Sequence, residues 1–202
     1  MLQYRNVPDT NSAAYRCEHM TEKEKMIRGD RYDASDAELV RERIHAQTLA
    51  GQYGLVPPGD DAAKMEILRR LLPHGRTDTA ITPPFFCDYG YNIFLGMRFY
   101  ANKGCVILDV APVRIGDDVM LGPMVQIYTA THPLDPEERA SGAESGKAIS
   151  IGDKVWIGGG SIICPGVAIG EGSVIGAGSV VTKDIPARVV AAGNPCRVIR
   201  SL

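Results

Sequence analysis

Two patterns of apolar and polar positions divide the chain near residue 76. Before that point, apolar residues recur at the three- and four-residue spacing of amphipathic helices. After it, aliphatic residues recur at every sixth position, which is not a helical period, among many glycines, which disfavour helices. The chain is therefore predicted to have a short helical part followed by a longer repetitive part.

The helical part is predicted to form a cap over residues 20–75 with three helices. The first, over residues 21–28, is expected to end at Gly29, because glycine readily takes the left-handed conformation of a helix C-cap. The second is expected to end at the glycines of residues 51–54, and the third at residues 73–75. These helices are too small to enclose a large core alone.

The repetitive part matches the hexapeptide repeat of a parallel β-helix. Six aliphatic residues follow one another at this spacing without error: Ile151, Ile157, Ile163, Ile169, Ile175 and Val181. Three six-residue units make one triangular coil, so residues 18 positions apart should stack inside the prism, with coils about 4.8 Å apart. The glycine that often follows the aliphatic residue is expected to adopt the dihedral angles of the bend. Small or β-branched residues three positions after this glycine should fill the narrow corner of the triangular coil.

The predicted fold class is mainly β: a left-handed parallel β-helix over residues 76–188, with an N-terminal α-helical cap and a protruding loop. The loop is predicted because the step from Ile127 to Ile151 is 24 residues, and most of them do not fit the repeat. Loops of this length in compact domains are usually functional or disordered. The predicted loop, residues 129–150, carries His132.

Composition and charge narrow the function. The 202 residues are 45% hydrophobic and 23% charged, which excludes global disorder, and the net charge of −2 argues against a nucleic-acid partner. No 18-residue apolar run and no secretory signal are present, which predicts a cytoplasmic protein without a membrane partner. Five scattered cysteines without a CxxC pair argue against a zinc site or disulfides. Residues 1–19 are expected to be a disordered extension.

Several segments resemble the sugar O-acetyltransferases, the family of the maltose and galactoside acetyltransferases. They are CDYGYNIFLG at 87–96, FYAN at 99–102, TATHP at 129–133, SGAE at 141–144, VWIG at 155–158 and AGNP at 192–195. The cap sequence from Met20 onward is also similar. The resemblance implies acetyl-CoA as co-substrate, a sugar hydroxyl as acceptor, no metal, and a homotrimer with sites between subunits.

A histidine on the interrupting loop suits this chemistry. A hydroxyl must lose its proton as it attacks a thioester, and an imidazole can take that proton and later protonate the leaving thiolate. His132 is the histidine of the repeat region and matches the family's THP segment. We therefore predict His132 as the general base of a direct transfer in a ternary complex.

The resemblance also implies an acceptor site and an oxyanion donor. Asn102 and Tyr100 match its FYAN segment, and Asp88 matches another position that contacts the acceptor. Asp109 is a further candidate for the acceptor site, which could instead hold the His132 ring. A backbone N–H at Gly159 is the implied donor to the oxyanion.

Three departures separate this chain from the galactoside branch. That branch has an aspartate where this chain has Val110, and a methionine where this chain has Glu144. The cap aspartate of that branch falls near Ala34. These differences favour the maltose-type branch.

Residues for coenzyme A are implied near the C-terminus. Lys183, Arg188, Arg197 and Arg200 against Asp184 give a local charge of +3, which suits the phosphates of CoA. The implied tail that contacts CoA is 189–202. The residues matched to the CoA groove are Trp156, Gly159, Ala177, Thr182, Lys183, Arg197 and Arg200.

Other functions compete with this interpretation. A hexapeptide acyltransferase could act on an amino acid, an amine or an antibiotic, and a non-catalytic β-helix could bind carbohydrate or ice. A β-helix carbonic anhydrase would need three zinc-binding histidines, and the repeat region has one. Cys105 or Cys164 could serve as a nucleophile, but cysteines at repeat positions normally pack as small hydrophobic residues.

Overall fold

The computed structural model describes residues 20–202, so the predicted disordered extension over residues 1–19 lies outside the described residues. Three helices open the described chain: α1 (Glu22–Arg28), α2 (Ala37–Leu55) and α3 (Asp61–Leu71). A capping box of Thr21 and Glu24 starts α1, and Gly29 ends it in the left-handed conformation, as predicted. None of the helices within residues 20–202 is long and apolar enough to cross a membrane.

Helix α2 is longer than the sequence predicted, because its two glycines lie inside it and not beyond its end. Leu49, Ala50 and Tyr53 are buried in the same core as the first strands of the β region. The Tyr53 hydroxyl donates a hydrogen bond to the carbonyl oxygen of Ile81. Packing of this face therefore outweighs the low helix propensity of glycine at residues 51 and 54.

Short strands coil into a three-sided prism, and we number its faces 1, 2 and 3 in the order in which the coil that begins at β4 visits them. Face 1 consists of β4 (Ile93–Leu95), β7 (Val113–Ile115), β12 (Ile149–Ile151) and β15 (Ala168–Ile169). Face 2 consists of β2 (Ala80–Ile81), β5 (Tyr100–Ala101), β8 (Met120–Leu121), β13 (Trp156–Ile157), β16 (Val174–Ile175), β18 (Val189–Ala192) and the antiparallel β19 (Arg197–Ser201). Face 3 consists of β3 (Phe85–Cys87), β6 (Cys105–Leu108), β9 (Gln126–Tyr128), β14 (Ile162–Ile163) and β17 (Val180–Val181).

The stacking predicted from the repeat is confirmed on all three faces. Ile151 pairs with Ile169, Ile157 with Ile175, and Ile163 with Val181, each in parallel register. All six side chains are buried. The predicted fold class, a mainly β parallel β-helix of hexapeptide repeats with N-terminal helices, is thus confirmed.

The expected role of the repeat glycines is wrong. Gly158, which follows an inward-pointing isoleucine, has no left-handed backbone; a Cβ there would lie 2.5 Å from the backbone nitrogen of Ala177 in the next coil. The left-handed residue comes two positions later, as at Gly160 (φ 69°) and Lys154 (φ 57°). Close approach of the coils, and not the bend, therefore requires the first glycine.

The predicted loop leaves the prism after β9 and returns at β12 without disturbing the coil register. Ile115 pairs directly with Ile151, although 36 residues separate them. The loop contains β10 (Ala130–Thr131), helix α4 (Pro136–Ala140) and β11 (Ala143–Gly146). Strand β11 pairs antiparallel with β10 and also with β1 (Tyr32–Asp33) of the cap. The loop and the cap thereby share one three-stranded sheet.

The β-helix continues past residue 188, where the sequence was expected to begin a separate tail. Strand β18 pairs in parallel with β16, so Val190 lies beside Val174 and Ala191 beside Ile175. Strand β19 then turns back along β18. Part of the tail is therefore a further strand of face 2.

Candidate functional site

The predicted site residues fall at two different corners of the prism. Asn102, Gly159 and Ala177 follow strands of face 2, at the corner between faces 2 and 3, which we call the glycine corner. Asp88, the loop that carries His132, and the pair Thr182 and Lys183 follow strands of face 3. We call this second corner, between faces 3 and 1, the loop corner.

One chain does not bring the two corners together. Asn102 and Asp109 lie on either side of β6, seven residues apart in the sequence. At about 3.3 Å per residue, the corners are therefore roughly 20 Å apart. Asp88 lies one coil from Asp109, because Cys87 pairs with Ile107. The predicted acceptor contacts Asp88 and Asn102 thus belong to separate half-sites within a single chain.

Asp109 is a structural residue at the loop corner, and its predicted contact with the acceptor is wrong. The side chain is completely buried. Oδ1 accepts hydrogen bonds from the backbone N–H groups of Asp88 and Tyr89 at 3.0 and 2.9 Å. Oδ2 accepts from those of Gly90 and Asn92 at 2.7 and 3.3 Å. The carboxylate holds the turn that presents Asp88, and it makes no hydrogen bond to His132 within the described residues.

Asp88, in contrast, is half-buried and has no hydrogen-bond partner for its carboxylate within residues 20–202. Burial raises its pKa to about 6, and the nearby carboxylates of Asp109 and Glu144 add to the effect. Asp88 also lines a groove of about 600 Å³ between α2 and face 3. An accessible carboxylate without a partner can accept hydrogen bonds from ligand hydroxyl groups.

Asp88 lies near a cluster of polar residues, Tyr32, Arg43, Tyr89 and Glu144, to which the sequence assigned no role in the site. Arg43 of α2 donates from Nη1 to the Tyr89 hydroxyl at 2.7 Å and from Nη2 to the carbonyl oxygen of Ala34 at 2.6 Å. Tyr32 and Glu144 lie close enough to interact electrostatically with each other and with Tyr89. The cap residues in this group come from distant parts of the sequence, so no local motif could have indicated them.

His132 is exposed and lies one residue beyond the end of β10. Strand β10 pairs with β11 in the register Ala130 with Gly146 and Thr131 with Ser145. Continuing this register by one residue places His132 opposite Glu144. The histidine is therefore exposed at the loop corner, at the end of the strand pair that also carries Glu144.

The glycine corner offers a free backbone donor and an apolar surface. The N–H of Gly159 makes no hydrogen bond within residues 20–202, whereas that of Gly160 donates to Pro123 at 2.8 Å. Tyr100 and Trp156 lie in register with Met120 on face 2, and all three side chains are exposed. A flat ligand or a second protein chain could cover this row.

The predicted basic residues are accessible. Thr182 and Lys183 are exposed at the loop corner, and Ala177 is exposed at the glycine corner. Arg197 and Arg200 are exposed on β19, where their side chains donate only to nearby backbone carbonyl groups. These side chains are free to bind an anionic ligand.

The cysteines do not favour a thiolate nucleophile. Cys105 is buried, and burial raises its pKa. Burial also raises the pKa of Cys164, which is partly exposed. A nucleophilic cysteine needs the opposite shift.

Comparison with known proteins agrees with this architecture. Residues 25–75 match the maltose acetyltransferase hexapeptide capping motif, and residues 148–183 match six bacterial transferase hexapeptide repeats. The chain is 51% identical to a maltose O-acetyltransferase from Clostridium difficile 630, whose crystal structure superposes with a TM-score of 0.89 over 91% of this chain and 98% of that one. The chain belongs to the hexapeptide-repeat acetyltransferases.

Two further relatives support this assignment. A galactoside acetyltransferase solved in complex with coenzyme A is 38% identical, with a TM-score of 0.83 over 91% of this chain and 92% of that one. Nodulation protein L of Rhizobium meliloti (strain 1021) is 50% identical over 179 residues, which are 88% of this chain and 97% of that protein. The predicted family and enzyme class, an acetyltransferase, are confirmed.

Proposed function

We propose that this acetyltransferase transfers the acetyl group of acetyl-CoA to a hydroxyl group of a sugar, with His132 as the general base. The observation that carries the proposal is the arrangement at the loop corner. There the exposed His132 lies on the loop that leaves the same corner as Asp88, whose carboxylate has no partner within the described chain. The relative solved with coenzyme A supports the choice of donor.

In the proposed reaction, the imidazole of His132 takes the proton of the acceptor hydroxyl as its oxygen bonds to the thioester carbonyl carbon. The carbon–sulfur bond then breaks, and the imidazolium returns the proton to the CoA thiolate. The products are the O-acetyl ester and free CoA. Atoms and charges balance without a metal or a covalent acetyl-enzyme.

The glycine corner is proposed to bind the acetyl donor, acetyl-CoA. The free N–H of Gly159 would donate to the oxyanion of the tetrahedral intermediate, while the small Ala177 next to it leaves room for the pantetheine arm. Trp156 would pack against that arm. Thr182 and Lys183 of the loop corner that faces the glycine corner, together with Arg197 and Arg200 of β19, are proposed to bind the CoA phosphates and adenosine.

Because the two corners are roughly 20 Å apart in one chain, the site is proposed to form between copies. The loop corner of one chain would supply His132 and Asp88, and the glycine corner of a neighbour would supply Asn102, Tyr100 and Gly159. A closed ring of chains satisfies every corner in this way. The proposed assembly is a homotrimer. In a ring of three, the glycine corner of each chain meets one neighbour and its loop corner meets the other.

Release of CoA thiol in the presence of different acceptors tests the proposal. We expect turnover with glucose- or maltose-type sugars, and a 10²- to 10⁴-fold loss of turnover in His132→Ala with an unchanged circular dichroism spectrum. His45→Ala, which changes an exposed histidine of α2, should retain wild-type turnover. Turnover with an amine or amino acid and with no sugar would refute the acceptor class. Near-normal turnover in His132→Ala would refute the base.

A further inference from the structure

A groove of about 400 Å³ lies in the cap, between α2, α3 and the turn that carries Tyr89 and Tyr91. Arg41 of α2 and Arg70 near the end of α3 border it from two different helices, and both are exposed. His45, one turn after Arg41, borders it as well. The volume lies within the range of small-molecule sites and exceeds that of a single phosphate ion. The groove therefore has room for a compact organic ligand.

The two arginines of this groove have no counter-ion. None of the ion pairs within residues 20–202 includes Arg41 or Arg70. Lys23, Arg31 and Lys64 of the same cap, in contrast, each have a carboxylate partner. A free guanidinium group keeps its planar set of donors for a carboxylate or a phosphate from solution.

The acidic residue of the groove is already neutralised. Glu42 accepts a hydrogen bond from Lys23 on one carboxylate oxygen and from the Tyr91 hydroxyl, at 2.8 Å, on the other. Because Lys23 balances the charge of Glu42, the charges of Arg41 and Arg70 remain uncompensated. Two fixed positive charges in one groove attract an anion with two negative charges.

The other walls of the groove are aromatic or apolar. The rings of Tyr89 and Tyr91 lie with their centroids 5.3 Å apart, and Leu71 and Pro73 continue the wall. A few charged groups on a mainly apolar lining are typical of small-molecule sites. The ligand that fits has an anionic head beside the arginines and a compact organic part against the tyrosines.

This groove is separate from the two corners of the prism. Positions 41 and 45 lie on one side of α2, whereas positions 47, 51 and 54, which border the groove along face 3, lie roughly 130° around the helix. The loop of residues 129–150 contributes nothing to the lining. In the ring of chains proposed above, neighbours meet at the two ends of face 3, so this side of α2 stays open to solvent.

We propose that the groove is a binding site for a small phosphate monoester, distinct from the sites for acetyl-CoA and the acceptor. Arg41 and Arg70 bind the phosphate from two helices, and Tyr89 and Tyr91 pack against the organic part. A phosphate monoester carries a charge close to −2 at pH 8, which matches the two free guanidinium groups. Its binding does not require the reaction proposed above.

Isothermal titration of the protein with phenyl phosphate tests this site. Phenyl phosphate has no hydroxyl group to acetylate, and saturating CoA keeps the donor site filled. We expect one ligand per chain with a Kd below about 1 mM, and a loss of affinity of at least about 10-fold in the double variant Arg41→Gln/Arg70→Gln.

The matched control is Arg69→Gln/Arg76→Gln. It removes the same charge from the cap, but these two arginines border a separate pocket of about 40 Å³. The control should bind phenyl phosphate as the wild type does. All four side chains are exposed, so both double variants should keep the wild-type melting temperature.

Two smaller probes test the ligand class. Inorganic phosphate lacks the ring and benzenesulfonate carries a single charge, so both should bind more weakly than phenyl phosphate. No saturable binding of phenyl phosphate, an equal loss in both double variants, or equal affinity for benzenesulfonate would overturn the inference. None of these results bears on the proposed acetyl transfer, which is tested by CoA release without any phosphate ester.

Discussion

Tyr32 lies directly opposite Glu144 in the antiparallel pairing of β1 with β11. This pair joins the helical cap to the loop that carries the proposed base. An ion pair between Arg31 and Glu138 adds a second link between the same two parts. The cap therefore does more than close the end of the prism, because its strand β1 pairs with the loop at the loop corner.

Asp109 is predicted to be essential for stability as well as activity. Asp109→Ala leaves four backbone N–H groups of the 88–92 turn without their acceptor in a buried place. We expect the free energy of unfolding to fall by at least about 3 kcal/mol in urea titrations. Asp117→Ala is the control, since Asp117 accepts one N–H at a more open corner, and should cost about 1 kcal/mol. A loss below 1 kcal/mol in Asp109→Ala would contradict the assigned role.

The two kinds of glycine in the repeat should respond differently to alanine. Gly158→Ala forces a Cβ to within 2.5 Å of the Ala177 nitrogen, so the coils must separate, and we expect a loss of about 3 kcal/mol or more. At Gly160, nothing lies within 4 Å of an added Cβ, and only the left-handed backbone opposes alanine, which costs about 1 kcal/mol. Thermal unfolding of both variants checks the order. Equal losses would show that coil spacing is not the constraint.

Asp88 should make stability depend on pH in a definite direction. Its pKa of about 6 in the folded chain lies above the usual value near 3.9 of an unfolded chain, so its ionised form is disfavoured by folding. Its contribution to stability is therefore present at low pH and is lost as the pH rises through 6. Asp88→Asn should be about 2 kcal/mol more stable than the wild type at pH 8 and nearly equal at pH 4.

Urea unfolding at both pH values measures this difference, and the sugar KM at pH 8 should rise in the same variant. The carboxylate would then be a residue kept for binding at a cost in stability. A variant that is less stable than the wild type at pH 8 would contradict the assigned environment of Asp88.

The β-helix could be predicted from the sequence because its repeat is local: six consecutive residues are enough to identify one strand and one bend. The six-residue period at residues 151–181 fixes which side chains point inward and which residues stack. The end of α2 could not be predicted, because burial of Tyr53 against the first coil decides it. The function of Gly158 could not be predicted either, because its constraint is the backbone of Ala177 in the next coil, 19 residues away.

The site residues that lie in local sequence motifs could be predicted, whereas the contacts that the cap makes with this corner could not. His132 and Asp88 lie in segments that resemble a known family, and they do lie at one corner. The Arg43 and Tyr32 contacts join residues of the cap to the turn after β3 and to the loop, so no sequence period reports them. The burial of Asp109 depends on the same turn.

Each site is proposed to combine the loop corner of one chain with the glycine corner of another. Mixing two inactive variants, His132→Ala and Asn102→Ala, after joint unfolding and refolding tests this most directly. If neighbouring chains complete the site, random assembly pairs an intact loop corner with an intact glycine corner in about a quarter of sites, so about 25% of wild-type turnover should return. Each variant refolded alone serves as the control. A mixture that stays as inactive as its components would show that neighbouring chains do not complete the site.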